Sequence, residues 1–258
     1  MPRYIDLRGH ATWHYQWKNR GEALLILHGG LSATEDCDKY LLPAVEHNHH
    51  VFAYDRTGQG RTSDQPGSLH FAFQTAEAIA YLEDVVKEPA HLVGWSDGGI
   101  IALMIAIQRP DLVRSIVAIG ANYHFNHGGG EIPEWEISAE DRKEYKDRSP
   151  DAPFTLDSKI ARMRDIWNSE PTLELSDLAK VYCPTLILAG DDELFSLSHT
   201  TSMYEALPNG RLAIVPGTSH FVLKEKPQLT QAIIRDFLAH LDPPITRAPV
   251  RRKNPEII

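Results

Sequence analysis

The chain predicts an α/β fold: a mainly parallel central sheet, helices on both faces and a helical insertion. Three observations carry this. Short aliphatic runs closed by Gly or Pro recur along the sequence. Helical patterns alternate with them. One long charged stretch interrupts the alternation past the midpoint.

Taken in order, IDLRGHATWHYQW (5–17) alternates and turns at a glycine, which predicts an antiparallel hairpin at a sheet edge. ALLILHGG (23–30), HVFAYDRTG (50–58), HLVGW (91–95), SIVAIGA (115–121), TLILAG (185–190) and RLAIVPG (211–217) read as fully buried parallel strands. Between them, Phe73, Ala76, Ala80 and Leu82, with Val85 and Val86, mark one helical stripe ended by Pro89. Leu229, Ile233, Phe237 and Leu241 mark another, with Pro227 near its first turn. GGIIALMIAI (98–107) is apolar all round, the signature of a helix packed between layers. No internal repeat is visible.

The chain has 258 residues, enough for one domain with an insertion. Its net charge is −9 and no basic stripe runs through the body, which argues against nucleic acid as a partner. No apolar run reaches the length of a membrane span, and the N-terminus lacks the apolar core of a signal peptide. Cys37 and Cys183 are too few for a disulfide framework, so buried thiols in a cytoplasmic setting are expected. Residues 131–177 carry 13 acidic and 7 basic side chains and fall between two core strands, so they should lie over the sheet. The expected division is a core of 1–121 and 178–241 with a helical cap at 122–177. The stretch 242–258, with four prolines and four basic residues, is expected as a loosely docked extension.

One junction stands out. Gly94-Trp95-Ser96-Asp97-Gly98 fits G-x-S-x-G, the sharp strand-to-helix turn that exposes a nucleophilic serine. Ligands in such sheets bind at the carboxyl ends of strands, and Ser96 stands at one. A histidine must act as base and an acid must orient it, in the chain order Ser, acid, His. AGDDELF (189–195) and VPGTSHF (215–221) end the next strands and supply both. An oxyanion hole needs two backbone N–H groups, expected from Asp97 and from Gly30 in the turn His28-Gly29-Gly30-Leu31. The turn after another strand, Asp55 to Ser63, is expected to brace the site.

These motifs in this order, HGG, DRTGQGRTS, GWSDGG, AGDDE and GTSHF, resemble the α/β-hydrolase superfamily over roughly residues 20–242. In detail, the stretch around Ser96 is similar to the biphenyl-hydrolase-like proteins and to enol-lactonase-like esterases. The resemblance implies the α/β-hydrolase fold, with Ser96 as nucleophile and His220 as general base. The acid commonly follows as G-x-x-D, which counted from Gly190 lands on Glu193. The flanks read as one residue short, which favours Asp192. Asp192 is therefore the expected acid, with Glu193 and then Asp191 as alternatives.

Other candidates have plainer readings. His47-Asn48-His49-His50 superficially suggests a metal site, but it leads straight into a strand and reads as a solvated loop. Asp97 either stabilises its helix turn or pairs with a substrate ammonium group. The acidic insertion would favour a cationic substrate or is an ordinary solvated face. Trp95, Tyr123, His124 and Phe125 are the expected substrate-pocket residues; Trp135 and Trp167 fit the pocket or a small core within the cap. The expectation is a serine hydrolase of a small-molecule carboxylic ester or lactone, with no metal or organic cofactor and with neither nucleic acid nor membrane as partner. Monomer and homodimer both fit. A meta-cleavage-type C–C bond hydrolase and a slow-turnover ligand receptor on the same fold are the alternatives.

Overall fold

The computed structural model describes residues 2–132, 134 and 136–248. The hairpin forms from β1 (Arg3–Leu7) and β2 (His10–Trp17), turning at Arg8 and Gly9, both at positive φ. Then follow β3 (Glu22–Leu27), α1 (Asp38–Val45), β4 (His49–Tyr54), α2 (Phe71–Tyr81), β5 (Ala90–Trp95), α3 (Asp97–Gln108) and β6 (Val113–Ile119). The inserted segment contributes α4 (Ala139–Arg148), α5 (Leu156–Trp167) and α6 (Leu175–Leu178). The chain closes with β7 (Thr185–Asp192), α7 (Leu197–Ala206), β8 (Gly210–Ser219), α8 (Val222–Glu225) and α9 (Pro227–Ala239).

The strands form one sheet in the order β1-β2-β4-β3-β5-β6-β7-β8. The β1–β2 and β2–β4 pairs are antiparallel, and the pairs from β4 to β8 are parallel. The aliphatic runs lack polar alternation because both sheet faces are covered. In β3, Leu25 and Leu27 join the core under α2, α3, α6 and α7, while Leu24 and Ile26 join the core under α1, α8 and α9.

Two helical stripes differ from the expectation. The buried residues of α2 are Phe71, Gln74, Thr75, Ala78, Ala80 and Tyr81; of the expected stripe Ala80, Leu82 and Val86 are buried, Phe73 and Val85 are half-buried and Ala76 is exposed. Gln74 faces inward because its amide donates to the carbonyl of Ser68 at 2.7 Å, in the loop it packs beneath. In α9 the buried residues are Thr230, Ile234 and Phe237, and Leu229 is exposed. A buried polar residue that satisfies its own bonds is invisible to an apolar count. Beyond α9, the Arg211 side chain donates to the Asp242 carbonyl at 2.7 Å. Residues 249–258 of the expected extension lie outside the described residues.

Candidate active site

β3 and β5 are direct neighbours, with Leu27 opposite Gly94, although β4 intervenes in sequence. The chain reverses its direction of travel across the sheet there, so the loops after β3 and β5 part and leave a crevice. Ser96 sits at its floor with φ 55° and ψ −122°. Its N–H donates to Ile119 O at 2.7 Å, and its carbonyl accepts from Gly99 N at 2.8 Å, which holds the unusual backbone in place. The two elbow glycines are sterically required. A Cβ on Gly94 would lie 2.1 Å from Gly98 O, and one on Gly98 would lie 2.1 Å from Leu27 O.

The loop after β8 carries His220 to the serine. Its Nε2 is 3.0 Å from Ser96 Oγ. Its Nδ1 is 2.6 Å from Oε1 of Glu193, whose side chain is 3% exposed. The carboxylate that reaches the imidazole is therefore Glu193, not Asp192. β7 continues through a bulge to Asp192, which pairs with Ser219 and leaves its side chain in solvent. Asp191 turns the other way, and its Oδ1 accepts from Gly217 N at 2.6 Å and Thr218 N at 3.1 Å. The simple count from Gly190, rather than the reading of the flanks as one residue short, lands on the side chain that contacts His220.

The turn after β3 packs on the elbow. A Cβ on Gly29 would touch Trp95 and Ser96, and one on Gly30 would lie 2.4 Å from Asp97 Oδ2. Asp97 is 2% exposed. Its Oδ1 accepts from Trp167 Nε1 of α5 at 2.9 Å, and its Oδ2 has no hydrogen-bond partner. Burial pushes the Asp97 carboxyl up from its ordinary range, against the pull of Arg56 and the Trp167 N–H. The turn after β4 is braced by Asp55, which accepts from Thr34 N at 3.0 Å and Arg61 N at 2.9 Å.

The model of the alpha/beta hydrolase family matches residues 24–232. The chain belongs to this family. Among curated relatives of this hydrolase, the serine hydrolase BPHL of Mus musculus is 27% identical over 240 residues, spanning 87% of this chain and 82% of that protein. The (E)-2-((N-methylformamido)methylene)succinate hydrolase of Acinetobacter baylyi is 21% identical over 263 residues, spanning 92% and 98%. Among solved structures, a serine hydrolase involved in carbazole degradation, CarC, superposes with a TM-score of 0.75 at 17% identity, covering 93% of this chain and 98% of that one. That likeness concerns the fold.

In this hydrolase a cavity of about 390 Å³ opens over Ser96 and His220. Trp95 lines it, as expected, but Tyr123, His124 and Phe125 do not. They are tied back: Tyr123 stacks on His199 with centroids 4.2 Å apart, His124 bridges Thr172, and Phe125 N donates to Pro171 O. The wall comes instead from Asn122, His127, Leu194, Phe195 and Phe221, and from Trp167 at the end of α5, one of the two placements expected for it. Leu194 and Phe195 directly follow Glu193, one of the candidate acids, and that adjacency was the available sequence signal. Asn122 and His127 carry no such signal. Trp135 lies outside the described residues.

The histidine run does not gather around a site: His49 Nδ1 contacts Val45 O, and His50 Nε2 lies 2.8 Å from Gln16 Nε2. Cys37 is buried and Cys183 half-buried, and both are free. Among the described residues no helix is long and apolar enough to cross a membrane.

Proposed function

We propose that this hydrolase cleaves a small carboxylic ester or lactone through an acyl-enzyme, with Ser96 as nucleophile, His220 as base and Glu193 as acid. The observation that carries the reading is the unbroken relay Ser96 Oγ, His220 Nε2, His220 Nδ1, Glu193 Oε1, at 3.0 and 2.6 Å. A carboxylate at Nδ1 places the proton there and leaves the Nε2 lone pair for the serine. Nε2 takes the Ser96 proton as Oγ attacks the carbonyl carbon. The oxyanion meets the N–H groups of Gly30 and Asp97, each worth about 3 kcal/mol. The imidazolium, held by Glu193, returns its proton to the leaving alcohol. Water, deprotonated by the same Nε2, attacks the acyl-enzyme and releases the acid and Ser96. No step calls for a metal or organic cofactor.

A fluorophosphonate should label Ser96, and Ser96→Ala and His220→Ala should each abolish hydrolysis of p-nitrophenyl acetate while keeping the fold. Full activity in either variant would overturn the assignment. The named substrate of the Acinetobacter baylyi relative carries a formamido group, which supports amides as a second substrate class, so they belong beside esters and lactones in the substrate panel. Amino-acid esters belong there too. Asp97, on the cavity wall, keeps one carboxylate oxygen unbonded and could receive an ammonium group. Equal rates for charged and neutral acyl groups would remove that role.

A further inference from the structure

We infer that Arg56 is a positioning residue for the oxyanion hole: with His28, it locks the Gly29–Gly30 peptide so that the Gly30 N–H is presented to the oxyanion. This rests on the function proposed above.

A trans peptide is planar, and its C=O and N–H point in opposite directions. The carbonyl of Gly29 and the N–H of Gly30 belong to one such plane. Gly29 O accepts from Arg56 Nη2 at 2.7 Å and contacts His28 Nδ1 at 2.7 Å. Two donors on the oxygen fix the direction of the N–H on the far side. Gly29 and Gly30 line the cavity beside Ser96, whereas Arg56 is absent from its wall and 1% exposed. With glycine on both sides, this peptide has little steric resistance to flipping, so an external anchor has work to do.

The protonation pattern agrees. The backbone N–H of Arg56 donates to His28 Nε2 at 3.1 Å, so that nitrogen carries the lone pair and Nδ1 carries the proton. Burial, with Arg56 nearby, holds the His28 pKa far below its ordinary value, so the ring is neutral and donates from Nδ1 alone. Arg56 Nη2 also reaches His28 O at 2.9 Å. The guanidinium thus grips two successive carbonyls of the turn, while its Nε has no partner. Its backbone is pinned on both sides, by the Asp55 bonds and by Thr57 N–H, which lies 3.2 Å from each oxygen of the buried Glu77. Asp97 and Glu77 are the nearby carboxyl groups whose charge favours the guanidinium against its burial. A cation on the Gly29 oxygen also polarises the peptide and makes Gly30 N–H a stronger donor.

The test compares p-nitrophenyl acetate with its thiono analogue, whose sulfur is a poor acceptor for an aligned N–H. In Arg56→Met, kcat for the oxygen ester should fall about tenfold to hundredfold, approaching the loss of one oxyanion donor, with KM nearly unchanged. The oxygen-to-sulfur rate ratio should fall with it, which a merely loosened fold would not produce. If Arg56→Met does not fold, His28→Ala, which removes the other donor to Gly29 O, carries the test with the same expected signs. A folded variant with the wild-type kcat and the wild-type rate ratio would overturn the inference. Failure of the underlying reading looks different: wild-type Ser96 would escape fluorophosphonate labelling whatever stands at residue 56.

Discussion

Trp167 and Asp97 are joined across the cavity: the indole N–H of the inserted helix α5 donates to Oδ1 of Asp97, the residue after Ser96, at 2.9 Å. Because Asp97 Oδ2 is already unpartnered, this bond is the side chain's hydrogen bond to another side chain. Trp167→Phe should therefore cost about 1–3 kcal/mol of stability, the penalty for a stranded buried acceptor. Urea unfolding monitored by circular dichroism measures it. An unchanged midpoint would mean that water or a rotated Asp97 takes the place of the indole.

The identity of the acid is open to a paired comparison. Glu193→Gln keeps the shape but cannot hold the imidazole in the productive tautomer, so kcat should drop by about 10³–10⁴. Asp192→Asn alters an exposed side chain and should stay within about twofold of wild type. Steady-state ester hydrolysis decides, and the reverse ranking would return the role to Asp192.

Gly98 tests the elbow as architecture. A methyl group there meets Leu27 O at 2.1 Å and His28 O at 2.8 Å, both backbone atoms of β3 and its turn. Gly98→Ala should destabilise the fold by about 3 kcal/mol or more. A thermal melt within a degree or two of wild type would show that the sheet opens to accommodate it.

Stability should crest near neutral pH. Burial holds the His14 and His199 pKa values down at about 4, against 6.5 for the free side chain. Their contribution is whole above pH 6.5 and is lost as pH falls toward 4, because the unfolded chain takes up those protons first. Burial raises Glu77 from 4.5 to about 7, so its contribution is whole below pH 4.5 and is lost as pH rises through 7. Between 4.5 and 6.5 the two histidines outweigh the one carboxylate, and stability should rise with pH. Between 6.5 and 7, Glu77 is the one of these three groups still titrating, and their combined sign reverses. Urea midpoints across this range check it, and His199→Gln should flatten the acid limb.

How far the sequence alone determined this protein can be read from particular residues. The six aliphatic runs specified parallel strands, because a strand covered on both faces needs apolar residues at every position. The spacing of Gly94, Ser96 and Gly98 specified the elbow, because only residues without a Cβ permit the contacts at 2.1 Å. Tertiary structure decided the rest. Whether Asp192 or Glu193 meets His220 depends on a bulge at the end of β7 and on its pairing with Ser219, a contact between strands. Whether Tyr123 or Phe195 faces the cavity depends on the Thr172 bridge and the His199 stack. The grip of Arg56 on Gly29 joins residues 27 apart in sequence. Local pattern encodes which face of an element is buried; it does not encode which atoms of another element will be there to meet it.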